Sequence, residues 1–473
     1  MATPKKQILL NAFNMNCVGH INHGLWTHPR DESAAYNTIE HWTGIARTLE
    51  RGLFDGLFIA DIVGVYDVYQ ANVDVTLRES IQLPVNDPMM LISAMAAVTQ
   101  NLGFGVTVNL GYELPYLLAR RFSTLDHLTR GRIGWNIVTG YLDSAARAMG
   151  LAEQLPHDER YDRADEFLEV LYKLWEGSWE EGAVRRDRAG RVYADPAKVH
   201  KVQHQGRYYQ VDGYHLAEPS PQRTPVLFQA GSSGRGQLFA GRHAECVFIS
   251  PPNKAAASKS VDALREELVR AGRRPDDVKV FMGTAVVTGA TQQQAREKYE
   301  DYKRYASREA GLAHFAASTG VDYARYDLDE PIVYGATNAI ESAARTAAQH
   351  GWTRRQLLEL FELGGRYPAI VGDAGQVADE LQSWIDETGV DGFNVSRTVV
   401  PESYEDFVDF IVPELQSRGV YKTQYAQGSL RKKLFGEADY LPARHAGAQY
   451  RRPGAPGSDS AGSDSEKKSA ISV

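Results

Sequence analysis

Residues 102–140 read LGFGVTVNLGYELPYLLARRFSTLDHLTRGRIGWNIVTG. The stretch holds a β-rich run at Leu102–Leu110, helical apolar spacing from Tyr116 to Leu128, and a second β-rich run at Arg132–Gly140. A helix between two strands carries the chain back to the end where the first strand began, so the strands run parallel with a right-handed crossover. Working outward, β-rich runs recur at Ile8–Phe13, Phe54–Asp61, Pro225–Gly231, Glu245–Ser250, Val278–Val287 and Asp391–Val400, eight in all. Helical spacing returns between them, at Asn37–Arg51, Pro88–Gln100, Arg160–Trp175, Ala255–Ala271 and Tyr404–Gln416. Eight strand–helix units close into a (β/α)8 TIM barrel of the α/β class. An open doubly wound sheet would give the same alternation, but no GxGxxG follows the first run.

Three connections exceed what a minimal barrel needs: Ile62–Asp87, Gly177–Arg223 and roughly Ala306–Gly372. The first and third follow strands, which places them over the C-terminal mouth where barrel enzymes do chemistry. The second follows a helix and is expected to serve packing or subunit contact. Residues 1–445 read as one barrel domain. From Ala446 to Val473 the composition turns to Gly, Pro, Ser, Asp and Lys, too poor in large apolar side chains for a core, and reads as a disordered tail.

Composition narrows the function. A formal net charge of -8 argues against nucleic acid, whose binding sites are basic. Cys17 and Cys246 alone make neither a disulfide framework nor a Cys-rich zinc site and suit a reducing, cytoplasmic setting. No long apolar run reads as a membrane span or a signal peptide.

Small residues mark one candidate site. AGSSGRG, after the fifth run, lets backbone amides approach an anion while Ser232 and Ser233 add hydroxyls just before a helix. An isolated Gly-rich βα turn is ordinary, but late βα loops of barrels often bind phosphate. HDERYDRADEF adds His157, Arg160 and Tyr161 at another helix start. Asn14, Asp61, Thr107, Asn109, Asn136 and Thr139 fall at strand C-termini, and together they would form a polar ring for a flat cofactor with hydrogen-bonding edges. His20 and His23 have HxxH spacing, yet no second ligand pair stands nearby, so no metal is expected.

Longer stretches carry a family resemblance: NAFNMNCVGHINHGLWTHP, ARTLERGLFDGLFIAD, ISAMAAVTQNLGFGVT, RRFSTLDHLTRGRIGWNIVTG, HDERYDRADEFLEVLYKLWEGSW and EPSPQRTPVLFQAGSSGRG. Over about Ile8–Phe435 the chain resembles the bacterial luciferase-like flavin monooxygenase superfamily, in the branch of nitrilotriacetate and dibenzothiophene sulfone monooxygenases. The resemblance implies a two-component enzyme in which FMN, reduced by a separate NAD(P)H-dependent flavin reductase, reacts with O2 to oxygenate a substrate. It implies FMN contacts at Asp61, Thr107, His157, Tyr161, Ser232 and Ser233, and a homodimer. NMNCVGHINHGLW, ADIVGVYDVYQ and QLPVNDPMMLISAM are similar to the long-chain alkane enzymes of that branch, which implies functional roles for Cys17, His20, Tyr66, Gln82 and His314. His20 and His314 are expected to move protons, since unperturbed histidine titrates near neutrality. Tyr141 stands where the alkane enzymes carry histidine and resembles the dimethyl sulfide enzymes instead.

Among basic residues of the first insertion only Arg78 stands out, which favours an apolar alkane-like or organosulfur substrate over a polyanion such as nitrilotriacetate. Two rival classes differ at the site. A metal-dependent barrel hydrolase needs His, Asp or Glu ligands at several strand ends, whereas the first strand ends in Asn-Met-Asn. A flavin-binding protein without turnover would keep the scaffold and lose the chemistry.

Overall fold

The computed structural model describes residues 6–231, 233–334, 339–363, 365 and 367–452, without the side chains of 341 and 342. Its parallel strands are β1 Leu9–Met15, β2 Gly56–Ala60, β3 Gly103–Asn109, β4 Ile133–Val138, β5 Val226–Gln229, β6 Cys246–Ile249, β7 Lys279–Thr288, β8 Ala369–Gly372 and β9 Gly392–Ser396. They are ordered β6-β5-β4-β3-β2-β1-β9-β7-β8, and a β6–β7 pairing, Cys246 opposite Lys279 to Ile249 opposite Met282, closes the ring. The helices α1 Ile39–Arg51, α2 Met89–Ala97, α3 Pro115–Leu128, α4 His157–Trp175, α5 Gly234–His243 and α6 Lys254–Arg270 follow the strands in turn. The expected eight-stranded barrel is present. The extra strand, β8, lies in the third insertion and pairs with Ala285–Thr288, the end of β7 whose last three residues run on past its contact with β9.

Alternation along each strand sorts side chains into two layers. Leu10, Ala12, Leu57, Ile59, Val106, Trp135 and Leu227 join the helices in the large outer core. Phe13, Phe58, Phe228 and Phe281 point the other way and fill the lumen, with Phe58 and Phe228 ring centroids 5.6 Å apart. Burying each such ring contributes about 1.5–3 kcal/mol. Glycine makes the room: a Cβ at Gly134 would meet Phe228 at 2.6 Å, and one at Gly105 would meet Phe58 at 3.1 Å.

The floor is a plug. Leu430 and Leu434, on the short helix Leu430–Phe435, join the lumen cluster. Between them Arg431, buried, donates to both oxygens of Glu245 at 2.7 and 2.9 Å and to the carbonyls of Gln222, Thr224, Pro225 and Asp439. Two clefts of about 80 and 420 Å³ open at this end of the barrel, lined by groups that already pair, such as Glu245 with Arg431 and Asn101 with Lys433.

Both insertions expected over the mouth are there, packed as one apolar cluster: Tyr66, Tyr69, Val75 and Ile81 of the first meet Leu312, Phe315 and Phe361 of the third. The helix α7 Arg308–Thr319 forms the middle of this lid. Residues 177–223 form two hairpins, Val184–Asp187 with Val192–Ala194 and Val202–Gln205 with Gln210–Gly213, that lean on α3 and α4 through Tyr116 and Glu166. Ala446–Tyr450, expected from the sequence to belong to the tail, are ordered. They form a turn whose Gly447 is buried against Tyr172, and Arg451 pairs with buried Glu176 at 2.7 Å. Polar composition hid this segment because only scattered contacts hold it: Gly447 and Tyr450 against Tyr172, Ala448 on the core, and the Arg451 ion pair. Residues 453–473 lie outside those described.

Candidate active site

The loop after β1 is zipped to the return arm of the first insertion. Cys17 bridges Val85, Gly19 bridges Ile81, and Asn86 N–H donates to the Asn16 carbonyl at 2.9 Å. A second tie runs to the lid, where Ser307 N–H donates to the His23 carbonyl at 2.9 Å. Gly24 sits at φ 90°, and a Cβ there would meet Ser307 N at 2.4 Å, so only glycine allows this approach. Through these ties the fold gathers five expected residues from three separate stretches: Cys17, His20, Tyr66, Gln82 and His314.

Their contacts are specific. The Tyr66 hydroxyl donates to Gln82 Oε1 at 2.6 Å, and its ring stacks on His314 at 4.8 Å and 25°. His314 Nδ1 lies 3.0 Å from His23 Nε2. His20 packs edge-on against Phe13 at 4.6 Å, and its buried Nδ1 has no partner. Burial first, then the Arg397 guanidinium and the His23 ring, hold His20 far below the ordinary histidine range. It therefore stays neutral at pH 7, because no carboxylate offsets its desolvation.

Burial likewise pushes the Cys17 thiol up to about 12, against the opposing charge of Arg397. Its Sγ sits 3.2 Å from the Gly19 carbonyl oxygen as a neutral donor. About 10⁻⁴ of such a thiol ionises at pH 8. Cys17 is accordingly expected to resist iodoacetamide at pH 8 in the folded protein and to alkylate once urea unfolds it, as read by mass spectrometry; rapid modification of the native chain would contradict this.

Across the mouth a second group forms at the N-terminus of α5. Ser233 caps the helix, its Oγ accepting from Gly236 N–H at 3.0 Å. The Tyr161 hydroxyl reaches the same turn: a Cβ at Gly231 or Gly236 would meet it at 2.5 or 2.8 Å. Burial raises this phenol above its ordinary value against the pull of Ser233 and Arg160, so it remains a donor. His157 packs beside Tyr161, ring centroids 5.2 Å apart, and the Arg235 guanidinium lies 5.6 Å from the centre of the Tyr161 ring. Ser232 lies outside the described residues.

Between the two groups stand the strand ends. Asn136 Nδ2 donates to Thr107 Oγ1 at 2.9 Å, while Asn136 Oδ1, Asn14 Nδ2 and Gln229 Oε1 are buried without partners. Unpaired buried polar atoms cost about 1–3 kcal/mol each and mark places where a ligand edge completes the bonding. Asn109 does otherwise: its Oδ1 accepts from Gly111 N–H at 2.9 Å and caps a turn. The residues present therefore fit a flat, phosphorylated heterocycle, with amide edges at the strand ends and a glycine cradle at α5.

Arg397 and Gln229 escaped the sequence reading. Arg397 follows β9 directly, is buried, and donates from Nη2 to the Cys17 carbonyl at 3.0 Å. The strand-end criterion that singled out Asp61 would have found it had it been applied to the last strand. Among the described residues no cluster of three His, Cys, Asp or Glu could hold a metal, and His23 of the HxxH pair faces His314. No described helix is long and apolar enough to cross a membrane.

The pattern of the luciferase-like monooxygenase family matches residues 21–392. The dimethyl-sulfide monooxygenase of Hyphomicrobium sulfonivorans is 50% identical over 453 residues, covering 94% of each chain. The long-chain alkane monooxygenase of Geobacillus thermodenitrificans is 48% identical over 447 residues, covering 94% of this chain and 98% of its own. A crystal structure of a riboflavin lyase with modified FMN and riboflavin superposes with a TM-score of 0.90 at 37% identity, covering 94% of this chain and 100% of that one. Since the likeness runs through the barrel strands, the mouth insertions and the cradle alike, this chain belongs to the luciferase-like monooxygenase family.

Proposed function

We propose that the protein is the oxygenating component of a two-component system: it takes reduced FMN from a separate NAD(P)H-dependent flavin reductase and uses O2 to oxygenate an apolar substrate, alkane-like or organosulfur. The observation that carries this reading is the pairing of the α5 cradle with buried, unpartnered polar atoms at the ends of β1, β4 and β5. The names of the relatives support it, and so does the FMN in the riboflavin lyase structure.

Reduced FMN, when bound, supplies the electrons that activate O2. The chain does the rest. Tyr161, Ser233 and the backbone of Gly231 and Gly236 would hold the phosphate together with His157, and Asp61, Thr107 and Asn136 would meet the ring edges; Ser232, expected at the same end, lies outside the described residues. The lid of Tyr66, Tyr69, Leu312 and Phe315 excludes water, which strengthens each polar contact beneath it. Cys17 and His20, both neutral, donate or accept hydrogen bonds without adding charge, and Tyr66 with Gln82 and His314 holds a proton beside an apolar substrate.

Basic residues near the mouth are already engaged: Arg78 pairs with Glu309 at 2.9 Å, and Arg397 serves the Cys17 carbonyl. This favours an apolar substrate over a polycarboxylate. A homodimer in a reducing, cytoplasmic setting belongs to the same reading, with Cys17 and Cys246 free and buried.

Two measurements test it. Anaerobic titration with reduced FMN is expected to saturate at one equivalent per chain. With excess reductase and O2, product screening is expected to show oxygen incorporation into a dialkyl sulfide or a long alkane; flavin binding with no product from alkanes, sulfides or sulfones would leave a flavin carrier instead.

A further inference from the structure

The function above gives His23 no role. Its surroundings are unusually constrained. The side chain is fully buried, and His314 is 5% exposed. Their ring centroids are 5.1 Å apart at 75°, which aims His23 Nε2 at His314 Nδ1 across 3.0 Å. The backbone of His23 is pinned on both sides, its N–H donating to Ile21 O at 3.0 Å and its carbonyl accepting from Ser307. Ser307 is also the N-cap of α7, its Oγ accepting from Ala310 N–H at 3.2 Å, so the helix that carries His314 starts from the residue that grips His23.

A neutral imidazole has one N–H and one lone pair. At 3.0 Å the two ring nitrogens form a hydrogen bond only when one donates and the other accepts, so the proton placement on one ring is coupled to that on the other. Held this way, His314 cannot rotate off the Tyr66 ring without breaking the contact to His23.

We infer that His23 is a positioning residue for the oxygenation: it sets the tautomer and ring plane of His314, and through His314 the placement of Tyr66. This rests on the reading that His314 serves the reaction. Leucine at position 23 keeps the volume and removes the hydrogen bond. Glutamine places an amide that can donate or accept at about the reach of Nε2.

The test combines turnover with a readout independent of it. In H23L, kcat is expected to fall about 10–100-fold while KM and reduced-FMN affinity stay within about twofold, as for partners that orient a reacting histidine. H23Q is expected to recover most of the loss. In an H314Q background H23L should cost nothing further, because the two act as one unit. Nitrogen-15 NMR of histidine-labelled protein is expected to show the His314 ring nitrogens shifting in H23L and staying in place in H23Q. Unchanged kcat in H23L, or an equal loss in H23L and H23Q with unmoved His314 resonances, would overturn the inference. If the parent protein oxygenates no substrate while the NMR coupling between the rings stands, the function fails and the pairing survives.

Discussion

Replacing Arg431 with leucine is expected to lower the unfolding free energy by about 3–5 kcal/mol, read by urea denaturation under tryptophan fluorescence. The cost comes less from the lost guanidinium than from what it abandons. Glu245 is 3% exposed and receives two of its bonds, and the carbonyls of Thr224 and Pro225 at the entry to β5 receive two more. With leucine in place, a buried carboxylate loses both direct hydrogen bonds from the guanidinium and keeps the more distant Arg273 as its counter-charge. Pairing the change with Glu245→Gln removes the stranded charge and should recover about half the loss; no recovery would mean that the carbonyl contacts carry the stability. Because the plug closes the end of the barrel opposite the mouth, reduced-FMN affinity of the folded variant is expected to match the parent.

Which parts of this architecture could be read from the chain follows from how each is held together. Runs such as Phe54–Asp61 and Leu102–Leu110 announce themselves because the barrel buries both faces of a strand, so apolar residues come nearly unbroken between turn residues. β8 does not, since four residues pairing with one overhanging end of β7 need no pattern of their own. The hairpin Val184–Asp187 with Val192–Ala194 was equally silent, because its side chains are mostly exposed and the alternation that marks a half-buried strand is missing.

At the site, residues at strand ends were legible by position, but their chemistry was not. Asn14, Asn109 and Asn136 look alike in sequence; only the fold shows that Asn109 spends its oxygen on Gly111 while the other two keep an atom unpaired. His23 and His314 stand 291 positions apart, so no spacing rule could join them. The neutrality of Cys17 and His20 depends on how completely the lid and the aromatic lumen dry them, a property of packing that residue type does not carry.

Asp61 shows the same dependence as a measurable pH effect. At the end of β2, burial pushes its carboxyl up to about 7, with the charge of Asp87 adding to the rise and the Ile62 amide opposing it. An unfolded aspartate titrates near 3.9. Between about pH 4 and 7 the folded chain therefore keeps a proton that the unfolded chain has shed. Stability attributable to this group falls as pH rises through that window and levels off above it. Asp61→Asn removes the titration, so the variant is expected to exceed the parent by about 2–4 kcal/mol at pH 8 and to converge with it toward pH 4. Binding should follow the same logic. A protonated carboxyl at pH 6 can donate to a carbonyl on the flavin edge, as the asparagine amide can at any pH, whereas the ionised form cannot. Reduced-FMN affinity of the parent is thus expected to weaken about tenfold between pH 6 and 8 while that of the variant stays flat. Parallel pH profiles for the two proteins, in stability and in affinity, would show that the carboxylate is already ionised in the folded mouth and that the ring edge is met by Thr107 and Asn136 without it.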